Sequence, residues 1–263
     1  MCLIIAVNEK TPPESQFELA NDLNPDGIGM AWIAKNGMVQ WYKGLALADV
    51  KKMAPYTPLP YVVHFRIATS GGINSELCHP FPISRNVTIS TDGQAKRVMF
   101  HNGIWFDWRE MLIKGLIATG RSLPQGPWSD TRAMAFLAYH YGDKILELLE
   151  EKIVVLSKEG SQFYGSGWTT RDGCVYSNPA LFMPVSYYQS QYTGAYQNYQ
   201  HWTEAQTGGD LSRSRASYAL GSCEDGWEED LFNDALRRGS KEVSKTVDTT
   251  WFKGKQYKFG ELE

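Results

Sequence analysis

A cysteine stands directly behind the initiator methionine, at the head of the apolar run MCLIIAV. Aminopeptidases remove an initiator methionine that precedes a small residue, so Cys2 is expected to become the first residue of the mature chain. It would then carry both a thiol and a free α-amine. An α-amine has a reference pKa of about 7.7 to 8.0, so about a tenth or more of it is a free base at neutral pH. The position of Cys2 therefore predicts a nucleophile and a base within one residue.

A second candidate is Arg66, in the stretch HFRIATSGG. Residues 61–69 are predicted to form a strand, and alternation of side chains places Arg66 on the same face as His64 and Ala68. A charge inside an otherwise apolar strand needs an anionic partner. That partner is either a buried aspartate or glutamate, or the carboxylate of a ligand, which a guanidinium binds through two hydrogen bonds. The residues alone leave both alternatives open.

Two further positions have side chains suited to a reaction. The HNG step at 101–103 ends a predicted strand. It is either a plain turn, or an oxyanion pair made of the Asn102 side-chain amide and the Gly103 N–H. Asp130 stands in a Ser-Asp-Thr step at a predicted helix start. Taken by itself, it is an ordinary N-terminal aspartate that interacts favourably with the helix dipole.

The order and surroundings of these four places resemble the glutaminase domain of class II glutamine amidotransferases, which are N-terminal nucleophile hydrolases. The resemblance covers residues 1–178, about two thirds of the chain. It rests on the initial Met-Cys, on HFRIATSGG with the later CHPF, on FHNGIW and on SDTRAMAF. The later stretch GSGWTTRDGCVYSN resembles the closing pattern of small stand-alone members.

The resemblance implies an enzyme that releases ammonia from the side chain of glutamine. Cys2 would attack the side-chain amide while its own α-amine takes the proton, and water would release glutamate from the thioester. Asn102 and Gly103 would hold the negative oxygen of the intermediate. Arg66 would bind the α-carboxylate of glutamine, and Asp130 would bind its α-ammonium. The implied mechanism uses no cofactor and no metal.

The resemblance also implies the fold, a four-layer αββα sandwich of two antiparallel sheets typical of N-terminal nucleophile hydrolases. Thr69 resembles a threonine that lies near the substrate in the family, so a supporting role in substrate binding is expected for it. The turn NPDGIGMAW contains Asp26, Gly27 and Gly29 and is expected to support the sheet beneath the site.

Some residues depart from the family pattern. Arg132 stands where many relatives have an acidic residue, Ser70 replaces a histidine common in sugar-amidating members, and Ile67 replaces an aromatic residue. These departures concern the acceptor of the ammonia more than the hydrolysis of glutamine. The chain has no room for a synthase domain, so a separate acceptor enzyme is expected as a partner. With its unusual tail, the chain also resembles small amidotransferases of bacteriophages. For such a protein, the ammonia is expected to serve the modification of a nucleotide or base.

Other functions fit part of this pattern. Two alternatives keep the same fold. In the first, the chain hydrolyses a γ-glutamyl amide or peptide other than glutamine. In the second, it is a non-catalytic scaffold whose tail binds partners. A papain-like site with Cys78 as nucleophile is disfavoured because the local signatures of such proteases are absent. A zinc site made of Cys78, His79 and His101 is disfavoured because it contains only one adjacent Cys-His pair.

The elements that must position these residues are predicted from periodicity and turn signals. Strands are expected at residues 2–7, 27–34, 38–45, 61–69, 86–90, 97–100, 152–157, 162–165 and 174–176. Asn36-Gly37 and Asp92-Gly93 predict hairpins between the strands on either side of them. Three helices are expected. The first covers residues 105–116 and stops by Gly120, the second begins after a cap at Ser129, and the third covers residues 143–150. Two antiparallel sheets with helices outside, an α+β fold, bury these strands best.

Charge and apolar runs exclude several classes of protein. The 26 Lys and Arg against 29 Asp and Glu give a net charge of −3, and no basic block is longer than Arg237-Arg238. Direct binding of nucleic acid is therefore disfavoured. No apolar run reaches the roughly 18 residues that a membrane span needs. Four distant cysteines without a C-x-x-C pair favour a reducing cytoplasm.

Composition divides the chain into three parts. Residues 1–185 are predicted to form the glutaminase domain. Residues 186–245 are rich in Tyr, Gln, Ser and Gly and lack apolar periodicity, so they are predicted to be a mobile tail. Residues 246–263 alternate around Gly254 and are predicted to form a small hairpin.

Overall fold

The computed structural model describes residues 2–68, 73–119 and 122–182. These residues form two antiparallel sheets and five α-helices, so the predicted α+β class is confirmed. The strands are β1 Leu3–Val7, β2 Ile28–Ile33, β3 Val39–Leu45, β4 Tyr61–Phe65, β5 Phe81–Pro82, β6 Asp92–Ala95, β7 Arg97–Asn102, β8 Lys152–Ser157, β9 Gly160–Tyr164, β10 Thr169–Arg171 and β11 Cys174–Tyr176. The helices are α1 Glu14–Leu23, α2 Leu47–Met53, α3 Trp108–Thr119, α4 Asp130–Tyr141 and α5 Lys144–Leu148.

Several sequence predictions fall outside the described residues. They concern Thr69 and Ser70 after β4, Gly120 after α3, the tail at 186–245 and the hairpin at 246–263.

The larger sheet has seven strands in the order β10-β11-β1-β4-β2-β3-β6, and every pair is antiparallel. Strand β1 lies between β11 and β4, with Leu3 opposite Phe65 and Val7 opposite Tyr61. All five residues of β1 are buried. A strand that is covered on both faces needs no polar face, which explains why LIIAV is apolar throughout.

The smaller sheet has four strands in the order β5-β7-β8-β9. Strands β7 and β8 pair from Arg97 opposite Ser157 to Asn102 opposite Lys152. The HNG step therefore lies where β7 leaves the sheet, as predicted.

Three apolar clusters hold the sheets and helices together. The first lies between the sheets and joins Ile4 and Val62 of the larger sheet to Val98, Phe100 and Val154 of the smaller one. The second joins the opposite face of the larger sheet to α1 and α2. The third joins the smaller sheet to α3, α4 and α5. Each sheet thus buries one face against the other sheet and one face against helices.

The hairpin predicted around Asp92-Gly93 is wrong. Both residues lie inside β6, which pairs with β3 in the larger sheet, whereas β7 belongs to the smaller sheet. Residues 86–90 form no strand. Gly93 is required by packing rather than by a turn, because a Cβ at this position would lie 2.6 Å from the ring of Trp41.

The sequence prediction also misses α1, α2, β5 and β10. Helix α1 follows Pro13 without a side-chain cap, and only Phe17 and Ala20 of it are buried, so its sequence pattern is weak. Since α1 separates β1 from β2, the predicted order of strands followed by helices is wrong in the first half of the chain. Strand β4 ends at Phe65, so Arg66 lies just beyond the strand instead of inside it.

Other predicted elements are confirmed. Gly37 has φ +76° in the hairpin that joins β2 and β3. Helix α4 begins after Ser129, whose side chain accepts a hydrogen bond from the Arg132 N–H. Helix α3 begins at Trp108 rather than at Trp105. Of the helices in the described ranges, none has the length and apolar character that crossing a membrane requires.

Replacing Phe100 by alanine is expected to lower the free energy of unfolding by about 3 to 5 kcal/mol, because it leaves a cavity. Phe100 is fully buried between the sheets, whereas Tyr56 is 88% exposed. Tyr56→Ala is therefore the control, with an expected change of less than about 0.5 kcal/mol. Urea unfolding followed by circular dichroism measures both. Equal losses in the two variants would contradict the described core between the sheets.

Candidate active site

A pocket lies where the first residues of the described chain meet the ends of β4 and β7 and the start of α4. Four residues predicted from the sequence line it, namely Cys2, Arg66, Gly103 and Asp130. Asn102 directly precedes Gly103 and is buried. The structure therefore brings together residues from four separate segments of the chain.

Cys2 directly precedes β1, and the alternation of the strand places its side chain on the same face as Ile4 and Ala6. That face belongs to the cluster between the sheets. The Cys2 Sγ lies 3.4 Å from both the N–H and the carbonyl oxygen of Ile67. Burial raises the pKa of the thiol, while the Ile67 N–H and the Arg66 charge act in the opposite direction. Because the net effect is a raised pKa, the thiol needs a base to become a nucleophile.

Arg66 is buried and held by a turn that precedes β2. Its N–H donates to the Gly27 carbonyl at 2.9 Å, and its own carbonyl accepts from the Asp26 N–H at 3.0 Å. The Asp26 carboxylate accepts a third bond, from the Ala68 N–H at 2.9 Å. Asp26 thus fixes the backbone on both sides of Ile67, the residue that contacts the Cys2 thiol.

Gly29 lets a second segment approach this turn. A Cβ at Gly29 would lie 1.5 Å from the His79 carbonyl oxygen. No side chain fits there, so the glycine permits the segment that contains His79 to pack on β2.

Asp130 occupies the first position of α4 and is buried. One carboxylate oxygen accepts a hydrogen bond from the Thr131 N–H at 2.8 Å, and the other accepts from the Trp105 N–H at 3.3 Å. The His101 Nδ1 lies 3.8 Å from the carboxylate. These contacts fix the orientation of the carboxylate at the pocket wall.

Arg132 also acts at the start of α4. Its buried guanidinium donates to the carbonyls of Val87, Pro127 and Gln125 at 2.7 to 3.0 Å and lies 4.3 Å from the centre of the Trp128 ring. These contacts join α4 to the segment that precedes it. Arg132 therefore stabilises the position of Asp130, which lies at the start of the same helix.

Glu151 was not identified from the sequence. The Glu151 carboxylate lies so close to Gly103 that a Cβ added there would be 1.8 Å from it. The same carboxylate lies 3.6 Å from His101 Nε2. A side chain at position 103 would therefore have to displace the Glu151 carboxylate. Nothing in the sequence around Glu151 indicates this contact.

Three buried histidines extend from the core between the sheets to the pocket. The ring centres of His64 and His79 lie 4.0 Å apart, and those of His79 and His101 lie 6.4 Å apart. The His79 Nδ1 accepts a hydrogen bond from the His101 N–H at 3.3 Å. Burial lowers the pKa of His64 to about 3 and that of His79 well below its usual value. Both rings are therefore neutral at neutral pH, and His79 has its proton on Nε2.

Cys78 precedes His79, and its side chain contacts the backbone. Its thiol lies 3.7 Å from the Asn74 carbonyl oxygen, and burial raises its pKa. Within the described ranges, His, Cys, Asp and Glu side chains form no group of three or more that would hold a metal ion.

The two charged residues of the pocket have opposite signs. Arg66 and Asp130 line the same small pocket as the Cys2 thiol, and the nearby His79 is neutral. A ligand with a carboxylate and an ammonium group would find a partner for each charge there.

A scan against protein-family models finds no match for this chain, and a search of curated proteins finds none either. The described residues define an α+β protein with two antiparallel sheets, in which a cysteine, an arginine and an aspartate line one pocket. The functional argument therefore rests on the residues of the site.

The free energy of unfolding is expected to fall as the pH is lowered from about 6.5 towards 4. In this range His64 and His79 take up protons in the unfolded chain, where a histidine has its ordinary pKa of about 6.5, but not in the folded chain. The slope is about 1 kcal/mol per pH unit for each histidine. Urea unfolding at several pH values measures it.

His64→Gln removes one of these groups and replaces it with an uncharged amide. Its slope between pH 5 and 6 should be smaller than that of the unmodified chain by about 1 kcal/mol per pH unit. The same slope in both proteins would show that His64 titrates normally in the folded state.

Proposed function

We propose that this chain is a glutaminase of the class II amidotransferase type, with the four-layer αββα fold of N-terminal nucleophile hydrolases. The arrangement of the apolar clusters supports this fold. Helices pack on the outer face of each sheet, and the inner faces pack on each other. Both sheets are antiparallel, and the strand that follows Cys2 lies inside the larger one.

The observation that supports the activity is the meeting of Cys2, Arg66, Gly103 and Asp130 at one pocket. Each of these residues has an ordinary structural explanation when it is taken by itself. Their convergence is better explained by one substrate with complementary groups. Free glutamine has a carboxylate, an ammonium group and a side-chain amide within one small molecule.

In the proposed complex, Arg66 binds the α-carboxylate of glutamine and Asp130 binds its α-ammonium. The hydrogen bonds from Thr131 and Trp105 hold the Asp130 carboxylate in place before substrate arrives. The side-chain amide then extends towards the Cys2 thiol. Because two charges at one end of the substrate are fixed, the carbonyl carbon is held near the nucleophile.

The raised pKa of the Cys2 thiol makes a base necessary. In the proposed mechanism, the α-amine of Cys2 takes the thiol proton and later gives it to the departing ammonia. This requires Cys2 to be the first residue of the mature chain. The Sγ bonds to the amide carbon, and the negative oxygen is held by the Gly103 N–H and the Asn102 side chain. Ammonia leaves, and water then hydrolyses the thioester to glutamate.

The ammonia is proposed to serve a separate acceptor enzyme, with which this chain associates. We place the reaction in a reducing cytoplasm, because Cys2 must remain a thiol to react.

A larger γ-glutamyl compound is the second candidate substrate. Ile104 and Phe106 follow Gly103 and are 37% and 81% exposed, so apolar surface is available next to the oxyanion donor in the chain. A leaving group larger than ammonia would contact this surface. To decide between the two substrates, release of ammonia from glutamine is measured alongside release of glutamate from γ-glutamyl peptides. A non-catalytic scaffold would hydrolyse neither.

One added glycine before Cys2 is expected to lower kcat/KM for glutamine by about 100-fold or more. An amide nitrogen is not a base, and general-base catalysis contributes about 10²- to 10⁴-fold. The two forms are prepared from cleavable fusions that leave either Cys2 or the glycine first, and ammonia release is measured.

As the control for this experiment, an aminopeptidase that removes the added glycine should restore activity. Full activity of a chain that, by mass spectrometry, retains a residue before Cys2 would refute the proposed role of the α-amine.

Arg66→Gln and Asp130→Asn are each expected to raise KM for glutamine by about 30-fold or more, with a smaller change in kcat. Loss of one partner leaves a charge of the bound substrate unpaired, at a cost of about 2 kcal/mol or more. Steady-state kinetics of ammonia release measures both constants.

Arg171→Gln and Asp172→Asn are the matched controls, because this ion pair lies at the surface with side chains 57% and 78% exposed. Both control variants should keep the KM of the unmodified chain. An unchanged KM in the Arg66 and Asp130 variants would be inconsistent with binding of a free amino acid.

A further inference from the structure

Asn102 presents a problem for the proposed oxyanion site. Its Nδ2 donates a hydrogen bond to the Ser177 Oγ at 2.9 Å. Its Oδ1 is buried and has no hydrogen-bond partner among the residues that the structure describes. An unpaired buried carbonyl costs free energy, and a carbonyl oxygen near a negative oxygen would repel it. The orientation of this amide therefore matters for catalysis.

Ser177 directly follows β11 and is almost fully buried. Its N–H donates to the Ile4 carbonyl at 3.0 Å, and its Oγ accepts from the Ile4 N–H at 2.9 Å. Its carbonyl accepts from the Lys152 Nζ at 2.6 Å. Lys152 is the residue opposite Asn102 in the β7-β8 pair. Ser177 is thus attached to the strand of the nucleophile and to the strand pair that ends at Asn102.

The hydrogen-bonding capacity of a serine hydroxyl decides how it interacts with Asn102. A hydroxyl has one proton to donate and can accept two hydrogen bonds. The Ile4 N–H is a donor only, so it occupies an acceptor site of Ser177 and leaves the hydroxyl proton available. A half turn of the Asn102 amide places Oδ1 against this proton and moves Nδ2 to the position that Oδ1 held. In that arrangement both Ser177 and the Asn102 carbonyl have partners.

We propose that Ser177 is a positioning residue for the oxyanion donor, which donates its hydroxyl proton to Asn102 Oδ1 and leaves the Nδ2 hydrogens for the reacting oxygen. This inference rests on the proposed function, since a reaction through a tetrahedral intermediate needs such a donor. Ile4 lies two residues after Cys2, on the same face of the strand. Ser177 therefore also sets the position of the donor relative to the nucleophile.

Ser177→Ala is expected to lower kcat for glutamine by about 10- to 100-fold and to leave KM within about threefold, because the lost interaction acts in the transition state. Ser177→Thr keeps the hydroxyl and should keep kcat within a few-fold. Ser157→Ala is the control, since Ser157 bonds to Glu159 at the far end of β8. It should behave as the unmodified chain. If Ser177→Ala does not fold, Ser177→Cys, a weak donor of similar size, replaces it with the same expectation.

A double-mutant cycle separates positioning from a general structural role. Asn102→Ala alone is expected to lower kcat by about 10²- to 10³-fold. In that background, Ser177→Ala should cost less than about threefold more, because there is no amide left to orient. If Ser177→Ala has its full effect in the absence of the Asn102 amide, the positioning role is refuted.

A readout that does not depend on activity separates this inference from the proposed function. The side-chain amide signals of Asn102 in a ¹⁵N-labelled chain are assigned by their loss in Asn102→Ala. Ser177→Ala should shift them and speed their exchange with water, whereas Ser177→Thr should not. Unchanged signals in Ser177→Ala would overturn the inference even in an active enzyme. If the unmodified chain is inactive and these signals still shift, the hydrogen bond between Ser177 and the Asn102 amide is retained, whereas the glutaminase proposal and the catalytic purpose of this bond are overturned.

Discussion

The pairing register of β1 is the constraint on which the site depends. Leu3 lies opposite Phe65, so the residue before β1 meets the residues that follow β4, and the Cys2 thiol contacts the Ile67 backbone. A shift by one residue would turn Cys2 to the opposite face of the sheet, away from the Ile67 backbone. The shift is prevented because β1 is buried on both faces and paired on both edges. Ser177 adds a side-chain bond to the Ile4 N–H. Packing therefore determines the position of Cys2.

The charges of the pocket depend on the same packing. Asp26 holds the segment that contains Arg66, while Arg132 and the Ser129 cap hold the start of α4, where Asp130 lies. The buried His79 contributes a neutral ring to the pocket wall. A neutral ring adds no charge of its own to the opposite charges of Arg66 and Asp130 at this pocket. That combination offers a charged partner of each sign within one pocket.

The sequence predicts some parts of the fold well, for physical reasons. The cap at Ser129 and the hairpin with Gly37 depend on local hydrogen bonds and on φ, so a few residues determine them. The Asp92-Gly93 hairpin fails because the glycine there accommodates the Trp41 ring, a contact made by a distant strand. Helix α1 is missed because only Phe17 and Ala20 of it are buried and no side chain caps it. Local signals are thus informative where local interactions determine the conformation.

The sequence by itself determined which residues are suited to nucleophilic attack and to binding opposite charges, because those properties belong to the residue types and to short motifs. It also determined the apolar runs that become buried strands. Only the tertiary structure decided that Cys2, Arg66, Gly103 and Asp130 share a pocket, because strand pairing and helix packing bring distant segments together. It alone identified the contact of Glu151 with Gly103 and the bonds of Ser177, since such contacts leave no periodic or spacing signal in the chain.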